Sequence, residues 1–277
     1  MQGDSPKART AGVREVSTNQ TDIYDKLEEV VRKYALSSYL RPIAEHTREA
    51  FALAEAFVRG FYPDLRDVAY KVILDSGCGT GESTVNIALA HPDIPVIGID
   101  KSVARLAKAG GAAINSATLN GAGSLPTNAF LVRAELLDFW RLALEAVTAG
   151  HWSIPYHALY YPNPWPKQSE ATRRFHLHPI FPTLLQLGDT IELRTNWEIY
   201  AREFAEAVRV AKSAAKILPI RGPCALSNKL LSAVRPHFAG MTTDRIAFTP
   251  KQPITAFERK YKEARQQLWR VVISNKT

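Results

Sequence analysis

Lys71–Asp75 (KVILD) runs directly into Ser76-Gly77-Cys78-Gly79-Thr80-Gly81, and an apolar helical pattern through Val85, Ile87, Ala88 and Leu89 follows at once. This strand, glycine turn and helix decide the fold. Aliphatic residues over a short stretch bounded by turn residues predict a buried strand. The glycines let the chain turn tightly and keep Cβ atoms out of the path of an approaching ligand. A glycine-rich turn is weak evidence by itself, so its surroundings matter.

Downstream, Val96–Asp100 (VIGID) predicts a second strand, with a helix around Val103–Lys108. Phe130–Val132 predicts a third strand and Phe139–Val147 a helix. His157–Tyr161 and Thr190–Arg194 predict a fourth and a fifth strand, the latter followed by a helix with Trp197, Tyr200, Phe204 and Val208 on one face. Such alternation predicts an α/β, Rossmann-like fold, a mostly parallel seven-stranded sheet with helices on both faces. Arg245–Phe248 and Leu268–Ile273 supply the last two strands, expected to be antiparallel. Upstream, Ile23, Leu27, Val30, Val31 and Tyr34 recur at helical spacing. Phe51, Ala54, Phe57 and Val58 do the same beyond Arg41-Pro42. The expected organisation is a disordered tail over 1–22, a helical segment over 23–66 that covers part of the sheet, and the α/β domain over 67–277.

Composition narrows the partners. Of 277 residues, 46% are hydrophobic, enough for a substantial core. No apolar run of 18 residues occurs and the polar N-terminus lacks a signal core, so neither a membrane span nor export is expected. Cys78 and Cys224 are too few and too far apart for a disulfide scaffold, and suit the cytoplasm. His176 and His178 form no metal-like array with the other histidines, so no metal site is expected. The net charge is +8, and the excess is concentrated in residues 167–277, with nineteen basic against nine acidic side chains. That asymmetry suits a polyanion.

The second strand ends in Asp100, nineteen residues beyond Gly81. An acid there can accept both hydroxyls of a ribose. The spacing serves NAD as well as S-adenosylmethionine (SAM). Yet the glycine pattern is G-x-G-x-G, not the G-x-G-x-x-G of pyrophosphate binders. Asp75, just before the turn, can face an ammonium group. SAM carries that ammonium and no pyrophosphate, so SAM is the expected cofactor. Its candidate contacts are Asp75, Ser76, Gly77, Gly79, Gly81, Asp100 and Lys101. Glu135, at the end of the third strand, is the candidate for the adenine amino group, with Asp138 as a competitor.

The fourth strand runs into Tyr160-Tyr161-Pro162-Asn163-Pro164-Trp165-Pro166-Lys167. Ligands on such sheets bind beyond the carboxyl ends of the strands. Prolines stiffen this loop, Asn163 offers a donor and an acceptor, and Trp165 can stack on a base.

These pieces together resemble the bacterial tRNA (guanine-N7-)-methyltransferases, which are class I SAM-dependent enzymes. That family carries P-D-P-W-P-K followed by a basic cluster ending in R-R. Here Pro162–Lys167 is followed by Arg173-Arg174. It carries T-D-W-x-x-Y, here Thr195-Asn196-Trp197-Glu198-Ile199-Tyr200, and T-x-[FY]-E, here Thr255-Ala256-Phe257-Glu258. Asn163 and Asn196 stand where the family has acids. The resemblance implies methyl transfer to RNA, with tRNA guanine N7 as the acceptor, by a cytoplasmic monomer or homodimer. It makes Asn163 and Trp165 the acceptor pocket, with Asn163 the candidate catalytic group. Lys167, Arg173 and Arg174 become phosphate contacts, while Thr195, Asn196, Thr255 and Glu258 close the site. Transfer to N7 is an in-line displacement that needs no general base, because N7 carries a lone pair and no proton. Alignment and local electrostatics then supply the catalysis. Another nucleobase, a small-molecule acceptor or a non-catalytic RNA-binding role are the alternatives.

Overall fold

A computed structural model of the chain describes residues 16–35, 37–65, 68–109, 125–217 and 240–275. Its N-terminal helices are α1 (Leu27–Tyr34) and α2 (Glu45–Phe61). In α1 the acids Glu28 and Glu29 occupy the first turn and the bases Arg32 and Lys33 the last, which complements the helix dipole. In α2, Ala50, Phe51, Ala54 and Val58 are buried at three- and four-residue spacing, one apolar stripe against the core.

A two-residue strand, β1 (Tyr70–Lys71), precedes β2 (Ile73–Ser76), α3 (Glu82–Ala90) and β3 (Val96–Asp100). After α4 (Val103–Leu106) come β4 (Ala129–Arg133), α5 (Leu136–Thr148), the short β5 (Trp152–Ser153) and β6 (Tyr156–Tyr160). The chain continues through α6 (Phe181–Leu184), β7 (Thr190–Thr195), α7 (Glu198–Ile217), β8 (Met241–Phe248), α8 (Ala256–Glu263) and β9 (Leu268–Asn275).

Seven strands make one sheet in the order β4-β3-β2-β6-β7-β9-β8. The first five are parallel, while β9 runs antiparallel to β7 and to β8. Every residue of β2 and β3 is buried, as expected of strands covered on both faces. The sheet and its antiparallel last strands match the sequence expectation. The parallel pair of β1 and β5 was not legible, because two-residue strands carry no periodicity.

Leu27, Val31, Ala50, Phe51 and Val58 share one core cluster with Leu74, Ile97, Phe130, Leu159 and Val271, so the N-terminal helices are part of the packed body. Gly98 on β3 permits a close approach of α3 to the sheet. A Cβ there would lie against Thr84 Oγ1 of α3 and 2.6 Å from Leu131 Cδ2.

The expected disordered tail differs where it is described. Residues 1–15 lie outside the described residues, but Gln20 is buried and bonded into the fold. A polar composition suggested disorder, yet Gln20 is the residue that completes a buried polar cluster, described below.

Candidate functional site

The strand order reverses between β2 and β6. From β2 the chain winds outward through β3 and β4, and from β6 it winds the other way through β7. The register Leu74↔His157 and Asp75↔Ala158 sets the carboxyl ends of β2 and β6 side by side. The glycine turn and the Pro162–Pro166 loop therefore leave the same edge next to one another. This is the crevice where α/β sheets bind ligands.

The turn is built as the sequence requires. Gly77, Gly79 and Gly81 have φ of 79°, 61° and 79°, a left-handed conformation that side chains resist. A Cβ at Gly77 or Gly79 would meet nothing within 4 Å, so open space adjoins the backbone at both positions. The amides of Gly77 and Cys78 donate to Ile99 O at 2.8 and 3.1 Å, which ties the turn to β3.

Two acids hold it. Asp75 is 1% exposed, and its Oδ2 accepts from Ser83 Oγ and Thr84 Oγ1, each at 2.6 Å. Burial raises the Asp75 carboxyl to about 6, with the two hydroxyl bonds working against the rise and Asp100 adding to it. Asp100 Oδ2 accepts from the Gly79 amide at 3.0 Å. Its Oδ1 accepts from the Ser102 amide at 2.8 Å and pairs with Arg105 at 3.0 Å. Asp100 thus braces the turn, and Oδ2 keeps lone-pair capacity for a further donor. Burial, with Asp75 and Asp100 nearby, pushes the Cys78 thiol well up, which keeps it a neutral packing group.

Ser76 does not offer its side chain to the crevice. Trp140 Nε1 donates to Ser76 Oγ at 2.9 Å, and Ser76 Oγ lies 2.7 Å from His157 Nε2. His157 Nδ1 donates to Leu187 O at 2.9 Å, so Nε2 is the acceptor and Ser76 donates to it. Burial pushes His157 down to about 3, in keeping with a neutral ring. Lys101 is exposed beyond β3. Glu135 is exposed at the N-cap of α5, on the carboxyl side of β4. Its competitor Asp138 is buried and accepts from the Ala44 amide at 3.0 Å, anchoring the start of α2.

The acceptor loop is constrained differently. Tyr161 and Trp165 both take positive φ, 54° and 44°, which is uncommon outside glycine. Asn163 is exposed, and its Oδ1 accepts from the Trp165 amide at 3.3 Å, an Asx turn. Arg173 lies over the Trp165 ring at 3.6 Å and pairs with Glu170 at 3.2 Å, so one face of the indole is already covered. Lys167 is exposed.

Arg174 corrects the sequence expectation. It is 0% exposed and cannot reach a phosphate. It donates to both Glu203 oxygens at 2.8 and 2.6 Å, to Gln20 Oε1 at 2.9 Å and to Trp165 O at 2.8 Å. A longer bond reaches Pro164 O at 3.2 Å. Gln20 Nε2, His176 Nε2 and the Tyr24 amide also donate to Glu203. Burial alone would raise the Glu203 carboxyl, but His176 and Arg174 hold it well below its ordinary value. An R-R pair reads as surface charge in a sequence, and only the buried Glu203 partner, twenty-nine residues away, reveals its other use.

Thr195 and Thr255 are caps. Thr195 Oγ1 accepts from the Trp197 amide at 3.1 Å, and Thr255 Oγ1 from the Glu258 amide at 3.0 Å at the start of α8. Asn196 is half-buried and reaches Gln266 at 3.5 Å. Glu258 is fully buried. It accepts from Tyr161 OH at 3.1 Å, from Arg194 at 2.7 Å and from the Ile254 amide at 2.9 Å. Thr255 and Glu258 therefore act on the loop through Tyr161 and do not themselves face a ligand. Sequence reading missed Ser83, Thr84, Arg105 and Arg194. Their signal was faint, being hydroxyls and cations in regions read only for helix or strand.

The sheet order and the glycine turn define the architecture of class I SAM-dependent methyltransferases. The chain belongs to the family described as "putative methyltransferase", which matches residues 69–219. Among curated proteins it is similar to the tRNA (guanine-N(7)-)-methyltransferase of Actinobacillus pleuropneumoniae, with 33% identity over 50% of this chain and 51% of that one. It is likewise similar to the protein of that name from Saccharophagus degradans, with 29% identity over 50% of this chain and 57% of that one. The chain spans about half the length of the curated relatives it matches. Among solved structures, a 16S rRNA methyltransferase, KamB, aligns at a TM-score of 0.44 and 15% identity, over 87% of this chain and 97% of that one.

Proposed function

We propose that the chain is a SAM-dependent RNA methyltransferase whose acceptor is guanine N7 of a tRNA, acting in the cytoplasm. The observation that carries this reading is the crevice itself. A left-handed glycine turn with open space above it, flanked by buried Asp75 and Asp100, lies beside a proline-stiffened Asn-Pro-Trp loop. The residues present fit an adenosyl amino acid. Asp75 would meet the ammonium, the turn backbone the amino-acid part, Asp100 Oδ2 a ribose hydroxyl, and Glu135 the adenine amino group. Residues 67–277 would form the catalytic domain, with 23–66 as its helical cover.

SAM supplies the electrophilic methyl group when bound. The chain's own residues then have two tasks. Asn163, at the loop tip, orients the base by hydrogen bonding, and its amide cannot take a proton at neutral pH. Guanine N7 has no proton to lose, so an amide suffices where an acid would otherwise stand. The bracing of both loops would fix the donor and acceptor sides relative to one another, and alignment of this kind is a major part of the rate gain.

The test is methyl transfer from radiolabelled SAM to bulk tRNA, followed by nucleoside analysis. Label in 7-methylguanosine supports the reading. Label in a methylated amino nitrogen redirects the acceptor. Binding of SAM without transfer to any RNA overturns the RNA assignment.

A further inference from the structure

We infer that Tyr161, Phe257 and Tyr261 form a ledge on which an unpaired RNA base stacks beside the acceptor loop. This rests on the RNA reading above and adds a surface to it. Phe257 is 53% exposed, an aromatic ring left in solvent on a helix whose one buried residue is Glu258. It stands one turn from Tyr261, with centroids 6.1 Å apart and planes 21° from parallel. Tyr161 approaches the two rings at 6.1 and 5.5 Å.

The ledge is fixed on both sides. Glu258 bonds Tyr161 OH, and Tyr161 is the residue that opens the acceptor loop. Asn86 Nδ2 donates to Ile254 O at 3.1 Å, and Arg259 pairs with Glu82. Both ties run to α3, the helix that follows the glycine turn. The segment carrying the rings is therefore tied both to the helix after the glycine turn and to the acceptor loop.

Charge selects the occupant. Lys251, Lys260, Lys262 and Arg265 are exposed on α8 and the segments flanking it, against exposed Glu263, and Arg259 is paired with Glu82. An apolar peptide gains nothing from that rim, whereas a polyanion with stacking bases uses both features. A base displaced from a helix next to the methylated nucleotide is the matching chemistry.

The experiment titrates the full chain into a short single-stranded RNA carrying 2-aminopurine, and separately into bulk tRNA. Stacking should quench the 2-aminopurine fluorescence. Phe257→Ala should weaken RNA binding about 5- to 150-fold and abolish the quench. Phe257→Trp should retain both, and Leu89→Ala, an exposed aliphatic outside this rim, should change neither. SAM binding and the melting temperature, measured on each variant, exclude misfolding. Unchanged RNA affinity and quench in Phe257→Ala overturns the ledge while leaving the RNA reading intact. A wild-type chain that binds SAM but neither RNA overturns both.

Discussion

The turn after β2 and the loop after β6 lie side by side, but they are held in place by different means. The glycine turn is braced by partners eight to twenty-one residues away. Ser83 and Thr84 grip Asp75, and Asp100 grips the Gly79 amide. The proline loop has one brace nearby, Arg174 nine residues on, but that brace is itself held from far away, as is Tyr161. Arg174 reaches its carbonyls while bound to Glu203 and Gln20, and Glu258 reaches Tyr161 from ninety-seven residues downstream. The cofactor side is thus a local motif, whereas the acceptor side is a product of the whole fold. A motif of the first kind survives divergence around it. One of the second kind can keep its shape whatever residue stands at its tip, where Asn163 is exposed.

That contrast can be broken most forcefully at Arg174. Arg174→Ala leaves Glu203 buried without its main partner and should cost about 3–5 kcal/mol in thermal or denaturant unfolding. It should also release the Pro164 and Trp165 carbonyls. Arg174→Lys, which cannot span the same set of acceptors, should recover only part of the loss. A variant as stable as the wild type would show that the loop is not held from behind.

Asp75 gives the next largest effect, and its sign is fixed by the raised carboxyl. The folded state holds its proton up to about pH 6, against 3.8 for the free side chain. The stability this confers is complete below 3.8 and is lost as pH rises through about 6, a swing of about 3 kcal/mol. Asp75→Asn should lack that slope, so the stability of the wild type relative to the variant in denaturant unfolding should fall by about 3 kcal/mol between pH 3.8 and about 6 and stay level above it. A ligand ammonium needs the ionised form, so SAM affinity should fall about tenfold per pH unit below 6 and level off above it. A flat affinity from pH 5 to 8 would place the ammonium elsewhere.

Gly98→Ala sharpens the local half of the comparison. Its methyl would press on Thr84 and Leu131, so about 1–3 kcal/mol of stability should go, with a weaker grip on Asp75. SAM affinity should drop more than RNA affinity. Lys101→Ala is the smallest change, within about 0.5 kcal/mol in stability, because the side chain is exposed. A large loss of SAM binding in that variant would reveal a contact that only the ligand completes.

Most of the sheet was legible because β2, β3, β4, β6 and β7 are short apolar runs separated by helical periodicity. The glycine turn was legible because positive φ leaves a mark in residue type. The acceptor side was legible in position but not in role. Arg174, Thr255 and Glu258 were named, yet each is a support, since burial depends on partners that no local window contains. Gln20 was hidden for the same reason, as a polar residue in a polar stretch gives no sign that it ends up bonded to Glu203.

Calorimetric titration of the purified chain with SAM and with its demethylated product tests the central claim most directly. The account predicts saturable binding at one site, abolished by Asp75→Ala and strongly weakened by Asp100→Ala. Absence of binding up to about millimolar ligand, a range where even weak specific sites fill, would contradict it.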